Sequence, residues 1–264
     1  MKFLKWILNV LMVFILLTNS SLAYERVILL SPACADIFLK LGLNNKVVGI
    51  TKHIKGFDST VKVGSHLKPN LELMLSLNPD LIIYSNNRFL PNSLDKFHIK
   101  TYKYDPKTTK EIFEQIKKIA SMMNVSKTGN NLINELKNKL SQLKKLNKKP
   151  KVIYEITQTP YIVAGKNSII NDIIKKAGGI NAIDINKKLV KFSIEKAISL
   201  HPDIYIYQVG PMNKTPTPPD KRPLFKNMKT VFIRVNELDF ARANTKTIDN
   251  ILFLNNIFYK WSLK

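Results

Sequence analysis

The sequence predicts an α/β protein of two similar lobes, each with a mainly parallel sheet, joined by one long bridging helix. The first observation is an internal repeat. Residues 71–84 recur as residues 194–207, with Glu, Ser, Leu, Pro, Asp, Ile and Tyr in register. Each copy reads as a short helix, a stop at Pro79 or Pro202, and a buried strand of β-branched and aromatic residues. The second is a weaker echo in the same order. Residues 36–42 resemble 172–178, each an amphipathic helix ended by a glycine that tolerates a left-handed cap. Chance supplies one echo more easily than two in order, so duplicated lobes are the simplest account. The third lies between the halves. Residues 125–149 contain no proline, and Leu132, Leu136, Leu140 and Leu143 follow helical spacing until Pro150. A helix of about 25 residues reaches ~37 Å at 1.5 Å per residue, enough to bridge two lobes.

The elements follow in order. Lys2 and Lys5 precede an apolar run over residues 6–17, and Ser21, Leu22 and Ala23 suit a signal peptidase. Residues 1–23 are therefore expected to be a signal peptide, cleaved after Ala23. The alternative is a retained anchor, but a run of about 12 residues is short for a ~30 Å hydrocarbon core. Residues 24–124 form the expected N-terminal lobe, with strands over 26–30 and 46–51 and a helix over 108–123. Residues 125–149 are the expected bridge. Residues 150–264 form the second lobe, with strands over 151–157 and 231–235 and a final helix over 246–261. The stretch 210–223 carries five prolines and reads as a surface loop. Cys34 is the single cysteine, which excludes an internal disulfide. It lies beyond Glu25 and Arg26, in the wrong place for a lipoprotein anchor, and reads as a small buried residue at a helix start.

The formal net charge is +23, with the densest basic cluster at residues 144–151. Such a balance suits nucleic acid, an anionic membrane surface or an acidic ligand. Export argues against nucleic acid, and no zinc-finger spacing, RNA-binding aromatic motif or Arg-rich arm is present. A solvated lysine surface is the simplest account. No nucleophile elbow, paired-Cys site or HExxH motif appears, and the four histidines stand apart at 53, 66, 98 and 201, so an enzyme is not expected.

Several short segments together carry a family resemblance: residues 26–33, Leu41-Gly42, Val48-Gly49-Ile50, Val63-Gly64, Asn70-Leu71-Glu72 and residues 78–83. The second half adds residues 164–168, Ala177-Gly178-Gly179, Phe192-Ser193-Ile194-Glu195 and Phe240-Ala241-Arg242-Ala243. The chain resembles the periplasmic solute-binding proteins of iron-siderophore, haem and vitamin B12 ABC importers, and looks most like the vitamin B12-binding member. The resemblance covers nearly all of the chain after residue 23 and implies the class III periplasmic binding protein architecture. It implies capture of a metal chelate in the cleft between the lobes, with no resident cofactor. It further implies transient docking of Glu72 and Glu195, one per lobe, onto a membrane permease dimer that works with its ATPase. The repeat singles out the same two glutamates independently.

In open α/β sheets ligands bind beyond the carboxyl ends of the strands. That places Ser31, Pro32 and Ala33 at the cleft, where the start of a helix suits an anionic group. His53, Ser65, His66, Tyr84, Asn86 and Arg88 follow on the first lobe, and Gln158, Tyr161, Lys166, Gln208 and Arg242 on the second. The resemblance implies aromatic residues where this chain has His53 and His66, and an iron-ligating tyrosine where it has Ser65. Two histidines are better suited to the metal of a bound chelate. Arg88 and Arg242 suit its anionic groups. The competing readings are a receptor for a nickel or cobalt complex held by those histidines, and a basic exported polyanion-binding protein.

Overall fold

The computed structural model describes residues 23–264; all of the expected signal segment except Ala23 lies outside the described residues. Five parallel strands form the first sheet: β1 (Val27–Leu29), β2 (Val47–Ile50), β3 (Val61–Lys62), β4 (Leu81–Tyr84) and β5 (Lys100–Lys103), in the order β3-β2-β1-β4-β5. The second sheet has β6 (Lys151–Thr157), β7 (Ile162–Ala164), β9 (Leu189–Lys191), β10 (Ile204–Val209) and β11 (Val231–Asn236) in the order β11-β10-β6-β7-β9, with β8 (Ile180–Asn181) also pairing β6. Only β7 runs against its neighbours. Central strands β1 and β6 are almost wholly buried, which explains their unbroken aliphatic runs. The two-lobed, mainly parallel α/β architecture is as the repeat predicts.

The repeat has a physical cause. Helices α1 (Pro32–Lys40) and α2 (Leu71–Ser76) belong to the first lobe. The Asn70 side chain caps α2 by accepting from Leu73 N at 3.0 Å. The chain then turns through a left-handed residue, Asn78 at φ 44°, before Pro79. Asp80 follows and accepts the backbone N–H groups of Glu25 at 2.7 Å and Arg26 at 3.1 Å, pinning the entry to β1. The second copy repeats each step. Ser193 caps its helix by accepting from Lys196 N at 3.2 Å, His201 turns left-handed at φ 47°, and Asp203 accepts from Lys151 N at 2.7 Å at the entry to β6. The shared Asp thus positions the central strand of each lobe, and the stop before proline is a left-handed cap as well as a proline effect.

The middle of the chain departs from expectation. Helix α3 (Thr109–Met122) is the helix expected over 108–123, but the rod expected over 125–149 is shorter, a helix α4 (Ser126–Leu140) that begins after a left-handed Asn124 at φ 55°. At 15 residues, α4 is about 22 Å long. Gly129 allows α3 and α4 to touch, because a Cβ there would stand 2.4 Å from the Cβ of Ala120. Beyond Ser141 the chain forms a strap against the final helix. Helix α5 (Ile169–Lys176) precedes β8, α6 (Ile194–Ser199) precedes β10, α7 (Glu237–Phe240) follows β11, and α8 (Lys246–Ser262) ends the fold. Lys144 N donates to Asn255 Oδ1 at 2.8 Å, and Asn255 Nδ2 donates to the Lys144 carbonyl at 3.0 Å. These tertiary bonds take the backbone groups a longer helix would use, overriding the helical periodicity of Leu143 and Leu146.

The lobes share one hydrophobic core, running from Leu29 and Ile83 through Ile116, Leu132 and Ile251 to Tyr154 and Ile206. Two reciprocal ties cross the seam. Asp36 on α1 accepts from Thr245 N at 3.0 Å and from its hydroxyl at 2.6 Å, at the start of α8. Asp172 on α5 accepts from Thr109 N at 2.7 Å and from the Thr109 hydroxyl, at the start of α3. These aspartates are the equivalent residues of the second sequence echo. Hydrogen bonds to a charged group contribute about 1.5–3 kcal/mol. Asp36→Ala and Asp172→Ala are each expected to lower unfolding stability by about that amount, read from the urea midpoint at pH 7. An unchanged midpoint in both would show that the ties do not hold the seam.

Candidate functional site

The carboxyl ends of both sheets face one cavity of about 550 Å³ between the lobes, a size typical of small-ligand sites. Ser31, Pro32 and Ala33 enter it from the end of β1 and the first turn of α1. His53 comes from the loop after β2. His66 comes from the turn after β3, which depends on Gly64: φ is 104°, and a Cβ would lie 2.6 Å from the Lys68 carbonyl. From the second lobe, Gln208 at the end of β10 and Arg242 after α7 close the other wall. Arg242 crosses the gap and donates from Nη2 to the His53 carbonyl at 3.3 Å.

The lining is largely aliphatic, including Ile156, Ile169 and Ile170. Leu67, Leu189 and Met212 stay about half exposed while lining the cavity. Against this wall stand a few polar groups. Partial burial lowers the pKa of His66, and His53 and the Arg242 guanidinium lower it further. Each of these effects favours the neutral imidazole over the imidazolium. Ser31 Oγ and Gln208 Nε2 are fully buried and have no hydrogen-bond partner among the described residues. One belongs to each lobe, and both residues line the cavity. Gln208 spends its carbonyl oxygen on the Tyr154 hydroxyl at 3.1 Å, so its amide N–H groups remain for a ligand. Buried polar atoms left unpaired are costly, and a ligand acceptor would relieve both.

The other expected contact residues lie outside this cavity. Ser65 Oγ accepts from Lys68 N at 3.1 Å within its own turn. Tyr84 packs against the outer cluster of Ile28, Val63 and Ile82. Asn86 accepts from Arg88 N at 3.0 Å, and the Arg88 side chain is exposed. Gln158 is committed to the proline-rich loop, accepting from Thr217 N at 2.7 Å. The Tyr161 hydroxyl accepts from Tyr205 at 3.1 Å, behind a buried Glu155–Arg222 pair, and Lys166 pairs with Asp184. Each sits near a strand end without lining this cavity.

Other lining residues were not anticipated. Tyr104, Asp105 and Lys107 follow β5, a strand the sequence conceals because Lys100 and Lys103 break its apolar pattern. Lys188 reaches across from the second lobe to Asp105 at 3.5 Å, and burial pushes its ammonium pKa down. Glu237 accepts from Met212 N at 2.7 Å, and its carboxyl pKa is raised by burial. No group of three or more His, Cys, Asp or Glu residues able to hold a metal ion occurs among the described residues.

Three comparisons bear on this arrangement. A family model described as periplasmic binding protein matches residues 27–231. The vitamin B12-binding protein of Vibrio vulnificus (strain CMCP6) is 27% identical over 188 residues, covering 67% of this chain and 69% of that protein. An uncharacterized ABC transporter substrate-binding lipoprotein of Bacillus subtilis (strain 168) is 26% identical over 208 residues, 70% of this chain and 64% of the relative. The crystal structure of Staphylococcus aureus IsdE complexed with heme superposes with a TM-score of 0.76 at 21% identity, covering 89% of this chain and 99% of that one; at that identity the likeness concerns the fold.

The His66 environment is testable directly. Its NMR titration midpoint is expected below the ordinary imidazole value of 6.5, and Arg242→Gln is expected to move it upward by removing a nearby positive charge. A midpoint at or above 6.5 in the unaltered protein would contradict the geometry.

Proposed function

We propose a capture role from one premise: this chain belongs to the periplasmic binding protein family, whose members bind substrates and are not enzymes. We read it as the receptor of an ABC importer for a metal chelate, of the corrinoid, haem or ferric-siderophore kind. The observation that carries this reading is the convergence of His53, His66 and Arg242 on an aliphatic cavity between two lobes. Two imidazoles beside a guanidinium make a poor nest for a bare cation, which needs several ligands and no adjacent positive charge. They suit a metal that arrives already carrying most of its ligands. In this reading His66, with His53 beside it, fills an open coordination position of the bound chelate. Arg242 neutralises a carboxylate or phenolate of the chelate, and the aliphatic wall takes its organic face. Ser31 and Gln208 donate to its oxygen atoms from the floor.

The surface supports a docking role for Glu72 and Glu195. Both are exposed and occupy the same position in the repeat, in the first turn of α2 and α6. The Ser193 hydroxyl donates to the Glu195 carboxylate at 2.5 Å and holds its pKa below the usual carboxylate value. Two fixed negative charges, one per lobe, would set the register of a permease contact more than its strength. The expected permease partner and export to the periplasm belong to this reading. Among the described residues no helix is long and apolar enough to cross a membrane.

The test is an absorbance and fluorescence titration of the purified protein with haem, cyanocobalamin and a ferric siderophore. One probe is expected to bind at micromolar concentration or below. His66→Ala should weaken that probe about 10–100-fold, and Ser31→Ala with Gln208→Leu about tenfold; a tenfold loss is 1.4 kcal/mol. Failure of every probe to bind would sink the reading. In cells, Glu72→Lys with Glu195→Lys is expected to abolish uptake of the bound probe while leaving its affinity unchanged. Normal uptake by that double variant would remove the docking role alone.

A further inference from the structure

A second surface stands out, at the opposite end of the fold from the cavity. Three stretches meet there: the strap over residues 141–151, the end of α5 with β8, and the last turns of α8. Asn255 joins them, bonding both backbone groups of Lys144 and donating to the Ala177 carbonyl at 3.1 Å. Leu146 lies over Gly178, and Ile180 N donates to the Pro150 carbonyl at 2.8 Å. Residues 136–151, 173–181 and 250–264 contain no Asp or Glu side chain.

The lysines of the strap, with Lys175, Lys176, Lys260 and Lys264, are all exposed. None of their ammonium groups pairs with a carboxylate among the described residues, although the Asp203 carboxylate accepts from Lys151 N at 2.7 Å; lysines elsewhere do pair, as in Lys46–Glu25, Lys107–Asp105, Lys166–Asp184 and Lys246–Asp239. The patch also has apolar and interfacial groups. Ile180 is 47% exposed and Leu263 59% exposed. Tyr259 and Trp261 are half-buried, with the ammonium groups of Lys144 and Lys148 over their rings at 5.0 and 4.8 Å.

We propose that this face rests on an anionic phospholipid membrane. Unpaired lysines are drawn to acidic headgroups. The aromatic rings prefer the headgroup level, and exposed aliphatic side chains enter the acyl boundary. A nucleic acid or polysaccharide would use the lysines but gain nothing from Ile180 and Leu263. The orientation is compatible with capture. Lys151 begins β6 at the patch, while Ile156 near its other end lines the cavity, five residues and about 17 Å away at 3.3 Å per residue. A receptor lying on this face keeps its cavity turned away from the membrane.

The experiment is cosedimentation of the protein from Tyr24 onward, which carries every described element, with vesicles of phosphatidylcholine alone or with about 30% phosphatidylglycerol. Binding is expected only to the mixed vesicles, falling at least tenfold between about 0.05 and 0.5 M salt as charges are screened. Replacing Lys144, Lys145, Lys148 and Lys149 together by Glu should abolish it, and replacing them by Gln, a milder change, should weaken it at least tenfold. Ile180→Ser with Leu263→Ser should weaken vesicle binding severalfold and leave retention on heparin unchanged. Equal binding to both vesicle types would overturn the proposal. So would heparin retention without vesicle binding, which would assign the face to a polyanion.

Discussion

The relative position of the two lobes is the constraint on which the rest depends, and two aspartates set it. Asp36 and Asp172 each sit on the first helix after a central part of their own lobe. Each receives a backbone N–H and a hydroxyl from a threonine that opens a helix packed across the seam. A hinge made only of flexible chain would leave the gap between the lobes variable. Here a continuous aliphatic core fills the seam and directional bonds fix its register. The arrangement is reciprocal: each lobe supplies the acceptor for one tie.

That rigidity gives the cavity its chemical meaning. His53 and His66 belong to one lobe, and Arg242 and Gln208 to the other. Their separation is therefore a property of the seam, not of a single loop. The depressed His66 pKa arises partly from a charge carried by the opposite lobe. Likewise Ser31 and Gln208, each with an unpaired buried polar atom, line the same cavity from opposite lobes. A site preorganised in this way loses little conformational entropy when a ligand arrives.

Much of this was legible in the sequence where a local pattern and a tertiary role coincide. The repeat exposed Asp80 and Asp203, because every copy of the strand entry needs the same acceptor. The echo around Asp36 and Asp172 likewise marks equivalent ties. His53 was named from a strand end, His66 from its place just before the helix of Glu72, and Arg242 lies in a segment that carries the family resemblance. The failures have a common physical form, a partner remote in sequence. Leu143 and Leu146 continue a helical stripe, yet an asparagine over a hundred residues away bonds the backbone of Lys144 between them. Tyr161 and Lys166 stand near the right strand, but Tyr205 and Asp184 occupy them. The contribution of β5 was hidden because a short edge strand with a lysine at each end does not read as part of a core.

The distribution of charge links the two ends of the molecule. A net charge of +23 repels itself and favours neither folding nor tight packing. The acidic residues are spent where the fold needs directional acceptors: at strand entries through Asp80 and Asp203, across the seam through Asp36 and Asp172, and beside the cavity through Asp105 and Glu237. Few remain to neutralise the end of the molecule remote from the cavity. Two of the lysines there, Lys144 and Lys148, set their ammonium groups over the rings of Tyr259 and Trp261, which does not cancel their charge. The basic excess is thus local: the carboxylates at the strand entries, Asp80 and Asp203, are taken by backbone N–H groups, and among the described residues no ammonium group of the strap beside β6 meets a carboxylate.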